Sequence, residues 1–111
     1  MTEPVKISIA TAFSPVPAGR TAIDGKFNGE AFRKKFVAPR LRNGETVLLD
    51  LDGMESLPSS FWEEIFGGLV REGFEPDLIH DRILLETSDE ELEPYEDMAW
   101  RFVREEVERQ H

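Results

Sequence analysis

The chain has 111 residues, of which 40% are hydrophobic, and it contains no cysteine. This length suits one domain over residues 1–111 with one core, and the lack of cysteine excludes disulfides and thiolate metal sites. The net charge of −10 argues against general nucleic-acid binding.

The first predicted element is a strand over Val5–Ala12, where apolar and polar residues alternate. A connection of about 15 residues follows, with two prolines near its start and the tight-turn signal Asp24-Gly25 near its end. Loops of this length are unusual in compact domains and are often functional. We therefore expect this loop to contribute to a site.

Asn28 is predicted to cap a first helix whose buried face carries Phe32 and Phe36. Residues 33–35 are basic and are predicted to point away from that face. Pro39 lacks an N–H group, so it is predicted to kink or end the helix.

The stretch Thr46–Leu51 is β-branched and then continuously apolar up to residue 50, which predicts a central parallel strand buried on both faces. A turn at Asp52-Gly53 follows, and a helix then begins at Ser59 and Ser60 with a wide apolar stripe. The pair Gly67-Gly68 inside this helix costs roughly 1 kcal/mol per glycine relative to alanine. It therefore predicts the close approach of another backbone.

The last third of the chain is predicted to hold a strand region and a long helix. The strand region comprises Leu78-Ile79 and Arg82–Glu86, and Ser88 with Glu91 is predicted to form a capping box. Pro94 fits the first turn of the final helix. The element order predicts a single α/β domain with three helices and a mainly parallel central sheet of about four strands. An antiparallel first strand, or an added strand from the long loop, stays open.

Several short motifs carry a resemblance to a known family. They are Gly19-Arg20, Asp24-Gly25, Asn28-Gly29, Phe32, Asp50, Asp52-Gly53, Ser60-Phe61, Glu64, Phe66 and Gly67. In these positions the chain resembles the STAS-like domain of unknown function, a bacterial, archaeal and phage family, over about residues 5–110. More distantly it is similar to the anti-sigma-factor antagonists, in which a partner kinase phosphorylates a serine at a helix start. The resemblance implies a STAS-like fold and places that serine at Ser59 or Ser60.

The start of the second helix is the first candidate site. Ser59, Ser60, Trp62 and Glu63 are candidates for partner binding or phosphorylation, because a phosphate at a helix N-terminus meets free N–H groups and the positive end of the dipole. The alternatives are a capping box between Ser60 and Glu63 and a core position for Trp62.

The predicted strand end and the long loop form a second candidate site. Arg20, Asp24, Asp50 and Asp52 are ligand-binding candidates, because α/β sheets bind ligands at the carboxyl ends of their strands. Acidic oxygens there suit Mg²⁺, and an arginine suits a phosphate. The alternatives are turn hydrogen bonds for the aspartates, and an Arg20 that anchors its own loop by pairing with Asp24 or Asp50.

The preferred functional hypothesis is a non-enzymatic, cytoplasmic regulatory module that binds a kinase-like protein, an ATPase or a transcription regulator and is switched by serine phosphorylation. No catalytic residue, metal site or cofactor is predicted, and no segment suggests a membrane span. The alternative is a domain that binds a small ligand, a nucleotide or a divalent ion. Charge is polarised, since residues 1–49 carry +4 and residues 50–111 carry −14. This polarity suits a partner with a complementary patch.

Overall fold

The computed structural model describes residues 3–111, and a three-stranded sheet organises it. The strands are β1 (Val5–Ser8), β2 (Val47–Asp50) and β3 (Ile83–Glu86). Their order is β1-β2-β3, and both pairs are parallel. The α/β fold, the parallel sheet and the central place of β2 are therefore confirmed. The sheet has three strands rather than about four, and within residues 3–111 β1 is not antiparallel and the long loop adds no strand.

Among the described residues, the sheet is covered on one face only. Two rows of aligned side chains point into the core: Val5, Val47 and Ile83, then Ile7, Leu49 and Leu85. The alternate row, formed by Lys6, Leu48 and Leu84, is half-buried or exposed. The prediction that β2 is buried on both faces was therefore wrong, because its continuous apolar run does not require a second covering layer.

The first strand is shorter than predicted. After Ser8 the chain turns at once into helix α1, Ile9–Ala12. The Ser8 hydroxyl accepts a hydrogen bond from the Thr11 N–H at 3.3 Å, which satisfies a free donor at the helix start. Alternating hydrophobicity does not distinguish this short helix from a continued strand.

The first long helix continues through Pro39. Helix α2 (Gly29–Phe32) runs into a π-helical segment (Arg33–Val37) and then into α3 (Ala38–Arg42). The predicted cap is confirmed, since Asn28 Oδ1 accepts from the Ala31 N–H at 2.8 Å. Pro39 does not end the helix, because it falls in the first turn of α3, after the wide π turn, where its missing N–H costs little.

The remaining helices are α4 (Ser59–Arg71), α5 (Pro76–Arg82), a 3₁₀ turn (Glu90–Leu92) and α6 (Pro94–Gln110). Two predictions were wrong here. Leu78-Ile79 is helical, because Pro76 starts α5 just before it. The Ser88–Glu91 capping box is absent, because Asp89 accepts from the Glu91 N–H at 2.9 Å instead.

Helix α4 is the centre of the core. It packs against α2 and against α6. Phe61, Trp62, Ile65, Phe66 and Leu69 are completely buried along it. In the described part of the chain, no helix combines the length and apolar character that crossing a bilayer requires.

Candidate functional site

The long loop, residues 13–28, folds into a defined structure that we call the Arg20 loop. The Gly29 N–H donates to the Gly19 carbonyl at 2.9 Å, which closes the loop at its base. The Asp24 carboxylate accepts from the Thr21 N–H at 3.1 Å and from the Arg20 N–H at 2.8 Å. These two backbone donors lower the pKa of Asp24 below its ordinary value. Asp24 is therefore a turn residue that fixes the loop.

The Arg20 loop packs against the beginning of α4. The guanidinium of Arg20 pairs with the Glu63 carboxylate. A Cβ on Gly19 would come within 3.2 Å of the Ser60 hydroxyl, and a Cβ on Gly29 would come within 2.7 Å of the Phe61 carbonyl. The approach at Gly29 therefore excludes a side chain, and the approach at Gly19 leaves little room for one. Arg20 anchors its loop, as one alternative expected, but through Glu63 rather than Asp24 or Asp50.

The first turn of α4 is accessible at its serines but not at its tryptophan. Ser59 is exposed and Ser60 is half-buried. Pro58 precedes them, and no side chain caps the helix. The capping box was wrong, because Glu63 turns to Arg20 and to Arg71. Trp62 is completely buried and donates its Nε1–H to the Tyr95 carbonyl at 2.8 Å. It therefore belongs to the core, and the prediction that it contacts a partner was wrong.

The two aspartates after β2 hold the sheet edge together. Asp52 accepts from the Ser88 N–H at 2.8 Å and from the hydroxyls of Thr87 and Ser88, each at 2.9 Å. The Ser88 N–H and these hydroxyls lower the pKa of Asp52. Asp50 accepts from the Asp52 N–H at 2.9 Å.

These contacts separate the four ligand-binding candidates into two groups. Asp50 and Asp52 accept hydrogen bonds at the carboxyl ends of β2 and β3. Asp24 accepts hydrogen bonds within the Arg20 loop, and Arg20 pairs with Glu63. Residues 3–111 contain no group of three or more acids or histidines placed to hold a metal ion. The geometry gives the small-ligand hypothesis no support.

Sequence reasoning missed a buried set of ion pairs on α4. Arg33, predicted to point outward, is 5% exposed. Its Nη1 donates to Glu64 Oε2 at 2.5 Å, and its Nε donates to Glu72 Oε1 at 2.5 Å. On the neighbouring side, Arg71 Nη1 donates to Glu106 at 2.7 Å and to Glu63 at 2.9 Å. Alternating charges thus tie the Arg20 loop, the π segment, α4 and α6 together.

The Gly67-Gly68 pair makes room for these charges. A Cβ on Gly68 would overlap the Arg33 guanidinium, and a Cβ on Gly67 would overlap the Glu63 carboxylate. The predicted close approach is real, but side chains make it rather than a backbone. One signal in the sequence hinted at this packing. Two adjacent glycines interrupt an apolar helix, and Arg33 directly follows the buried Phe32 on another helix.

The Arg20 loop also exposes apolar surface. Residues 3–111 contain four exposed large hydrophobic side chains, and three of them lie on this loop: Val16 (56% exposed), Ile23 (96%) and Phe27 (40%). The fourth, Leu84, lies on β3. The loop therefore places solvent-exposed apolar side chains in the same segment as Arg20, beside the start of α4.

A comparison with protein families places the chain in a known family. The model of a family described as a STAS-like domain of unknown function matches residues 28–93. The matched part runs from the cap of α2 to the residue before α6, so it includes Ser59, Ser60 and Glu63 but not Arg20. No curated protein and no solved structure matches the chain.

Proposed function

Since the chain belongs to the family of STAS-like domains of unknown function, we propose that it is a non-enzymatic regulatory module that binds another protein. The contact surface consists of the Arg20 loop and the first turn of α4. The partner is a kinase-like protein, an ATPase or a transcription regulator, and phosphorylation of a serine on α4 controls the contact.

The observation that carries this proposal is the concentration of exposed apolar residues on the Arg20 loop. Isolated exposed hydrophobic side chains are normal, but three of the four in residues 3–111 belong to one loop, which favours an interaction surface there. Burying one large aliphatic side chain such as Ile23 contributes about 1.5–3 kcal/mol. The arrangement suits a partner that covers the loop.

The loop is also fixed before any partner arrives. Backbone hydrogen bonds, the Asp24 carboxylate and the Arg20–Glu63 pair hold it in place. A preorganised loop loses little conformational entropy on binding, which favours affinity.

Capture experiments with the tagged chain, expressed in the cells that produce it, test the contact surface. We expect Ile23→Asp to remove a specific partner that the wild type retains, because the substitution places a charge where apolar burial is needed. Leu84→Asp, at the exposed apolar position on β3, is the matched control and should retain it. Binding of the purified partner, measured by calorimetry, then gives the affinities. Equal binding by both variants would contradict the proposal.

The proposed switch is phosphorylation of Ser60. Its hydroxyl lies against Gly19, and Glu63 lies one turn further along α4. A phosphate adds about two negative charges. It would collide with the loop and be repelled by the Glu63 carboxylate, so the loop would leave its place on α4 and the contact surface would be lost.

A phosphomimetic pair tests this switch. We expect Ser60→Asp to weaken partner binding several-fold without loss of helical circular dichroism, whereas Ser59→Asp, at the exposed neighbouring position, changes it little. Partner binding that responds to Ser59→Asp but not to Ser60→Asp would contradict the role of Ser60.

A further inference from the structure

A groove beside β1 lies outside the surface proposed above. Its volume is about 450 Å³. It is lined by all four residues of β1, by Thr11 and Ala12 of α1, and by Phe36 and Arg40 of the neighbouring helix. Because within residues 3–111 β1 pairs only with β2, this groove runs along an open edge of the sheet.

The strand edge that faces the groove has unused hydrogen-bonding groups. The Val5 N–H donates to the Thr46 carbonyl on the β2 side at 2.8 Å. Successive residues of a strand direct their backbone groups to opposite sides, so both backbone groups of Lys6 and the N–H of Ser8 point away from β2, whereas the Ser8 carbonyl belongs to the first turn of α1. Edge strands of this kind are templates for a further strand.

The groove also contains a cation without a partner. Arg40 is half-buried, yet its guanidinium makes no ion pair or side-chain hydrogen bond with any residue in the range 3–111. By contrast, Arg33, Arg71 and Arg82 each donate to a carboxylate or a carbonyl. The other charged residue that lines the groove is Lys6, whose ammonium lies 3.9 Å from Asp50 and 3.7 Å from Glu86 on the open face. A guanidinium without a counter-charge on a half-buried arginine suits an anionic ligand group.

We propose that this groove binds an extended acidic segment of a partner protein, which joins the sheet as a fourth strand beside β1. Backbone hydrogen bonds to the N–H and carbonyl of Lys6 and to the N–H of Ser8 provide affinity, and Arg40 selects a carboxylate side chain. Four residues of an extended strand span about 13 Å, the length of β1. The opposite edge suits such a segment less, because β3 ends at the exposed acid Glu86.

Selection from a phage-displayed library of random decapeptides tests the side-chain part of this proposal. We expect the enriched peptides to be rich in Asp and Glu. Arg40→Glu should lower the affinity for these peptides by about tenfold or more in fluorescence polarisation, because the substituted glutamate repels their carboxylates. Arg104→Glu, which makes the same charge change at an exposed position on α6, should leave the affinity within about twofold.

A proline scan of β1 tests the backbone part. Lys6→Pro removes the outward N–H while the bonds from β1 to β2 remain, since proline is tolerated on an edge where the N–H faces solvent. Lys6→Ala keeps that N–H and loses the same charge. We expect the proline variant to lose peptide binding by about tenfold relative to the alanine variant, with both folded by circular dichroism.

Four outcomes would overturn the proposal: no enriched peptide, no acidic bias among the enriched peptides, equal binding by Lys6→Pro and Lys6→Ala, or peptide binding that Arg40→Glu leaves unchanged. Ile23→Asp separates the two surfaces. If it abolishes peptide binding and Arg40→Glu does not, the peptides occupy the Arg20 loop, and the groove proposal fails while the proposed function stands.

Discussion

At the scale of single residues, Gly68 shows where packing overrides helix propensity. Alanine at this buried helical position would gain about 1 kcal/mol in propensity. Its methyl group would occupy the place of the Arg33 guanidinium and separate that cation from Glu64. Breaking a buried ion pair costs about 3–5 kcal/mol. We therefore expect Gly68→Ala to lower the free energy of unfolding by about 2–4 kcal/mol in urea denaturation.

A double-mutant cycle provides the control for Gly68→Ala. Arg33→Met removes the guanidinium, so in this background the added methyl group should cost much less than in the wild type. An unfolding free energy that rises on Gly68→Ala alone would mean that Arg33 does not lie over this glycine.

At the scale of the elements, Glu72 joins three parts of the fold. It lies just past the end of α4, where it accepts from Arg33 of the π segment and from Arg42 of α3 at 2.6 Å. Burial alone would raise the pKa of Glu72, but hydrogen bonds from Arg33 and Arg42 outweigh it and lower the pKa below the ordinary 4.5. The ionised carboxylate is therefore the form that stabilises the fold.

The sign of this pKa shift gives a pH prediction. A lowered folded-state pKa contributes stability that is complete above the unfolded value of 4.5 and is lost as pH falls through the folded value. We expect Glu72→Gln to be less stable than the wild type at pH 7, and we expect the difference to shrink below pH 4.5, measured by urea denaturation across pH. Glu105→Gln, an exposed partner of Arg101, should show no such trend. A difference that is constant with pH would contradict the assignment.

Elements with a strong periodic pattern were predictable, and those set by local capping were not. The apolar run of β2 and the wide apolar stripe of α4 correctly predicted where these two elements lie in the chain. The short helix α1 is capped by the Ser8 hydroxyl, and α5 begins at Pro76. The hydrophobic pattern alone predicted strands in both segments, because it does not include these local signals. Burial of Arg33 could not be predicted from the pattern of its own helix, because it depends on the space that Gly68 leaves on α4.

The candidate site was predictable in its location but not in its contacts. The long loop and the helix that begins at Ser59 both lie where the sequence placed them, and the functional role of the loop stays a prediction. The pairing of Arg20 with Glu63 joins residues 43 positions apart, which no local pattern encodes. Trp62 shows the same limit, since helical spacing fits both a core and a surface tryptophan.

At the scale of the whole molecule, the folded unit extends beyond the part that matches the family. The match ends at residue 93, before α6 begins. Yet α6 covers α4: the Trp100 ring lies 5.6 Å from the Phe66 ring, the Tyr95 carbonyl accepts from Trp62, and Glu106 pairs with Arg71. The core is therefore incomplete without the last helix.

Truncation tests this dependence on α6. A chain of residues 1–93 would expose the α6-facing side of α4, including Trp62 and Phe66, and would leave Arg71 without Glu106. Each large apolar side chain returned to water costs about 1.5–3 kcal/mol, which over several residues approaches the whole stability of a small domain. We expect this truncation to lose cooperative urea unfolding and to bind a hydrophobic dye, whereas residues 1–109 should unfold as the full chain does. Cooperative unfolding of residues 1–93 would show that α6 is an accessory to a core that is complete without it.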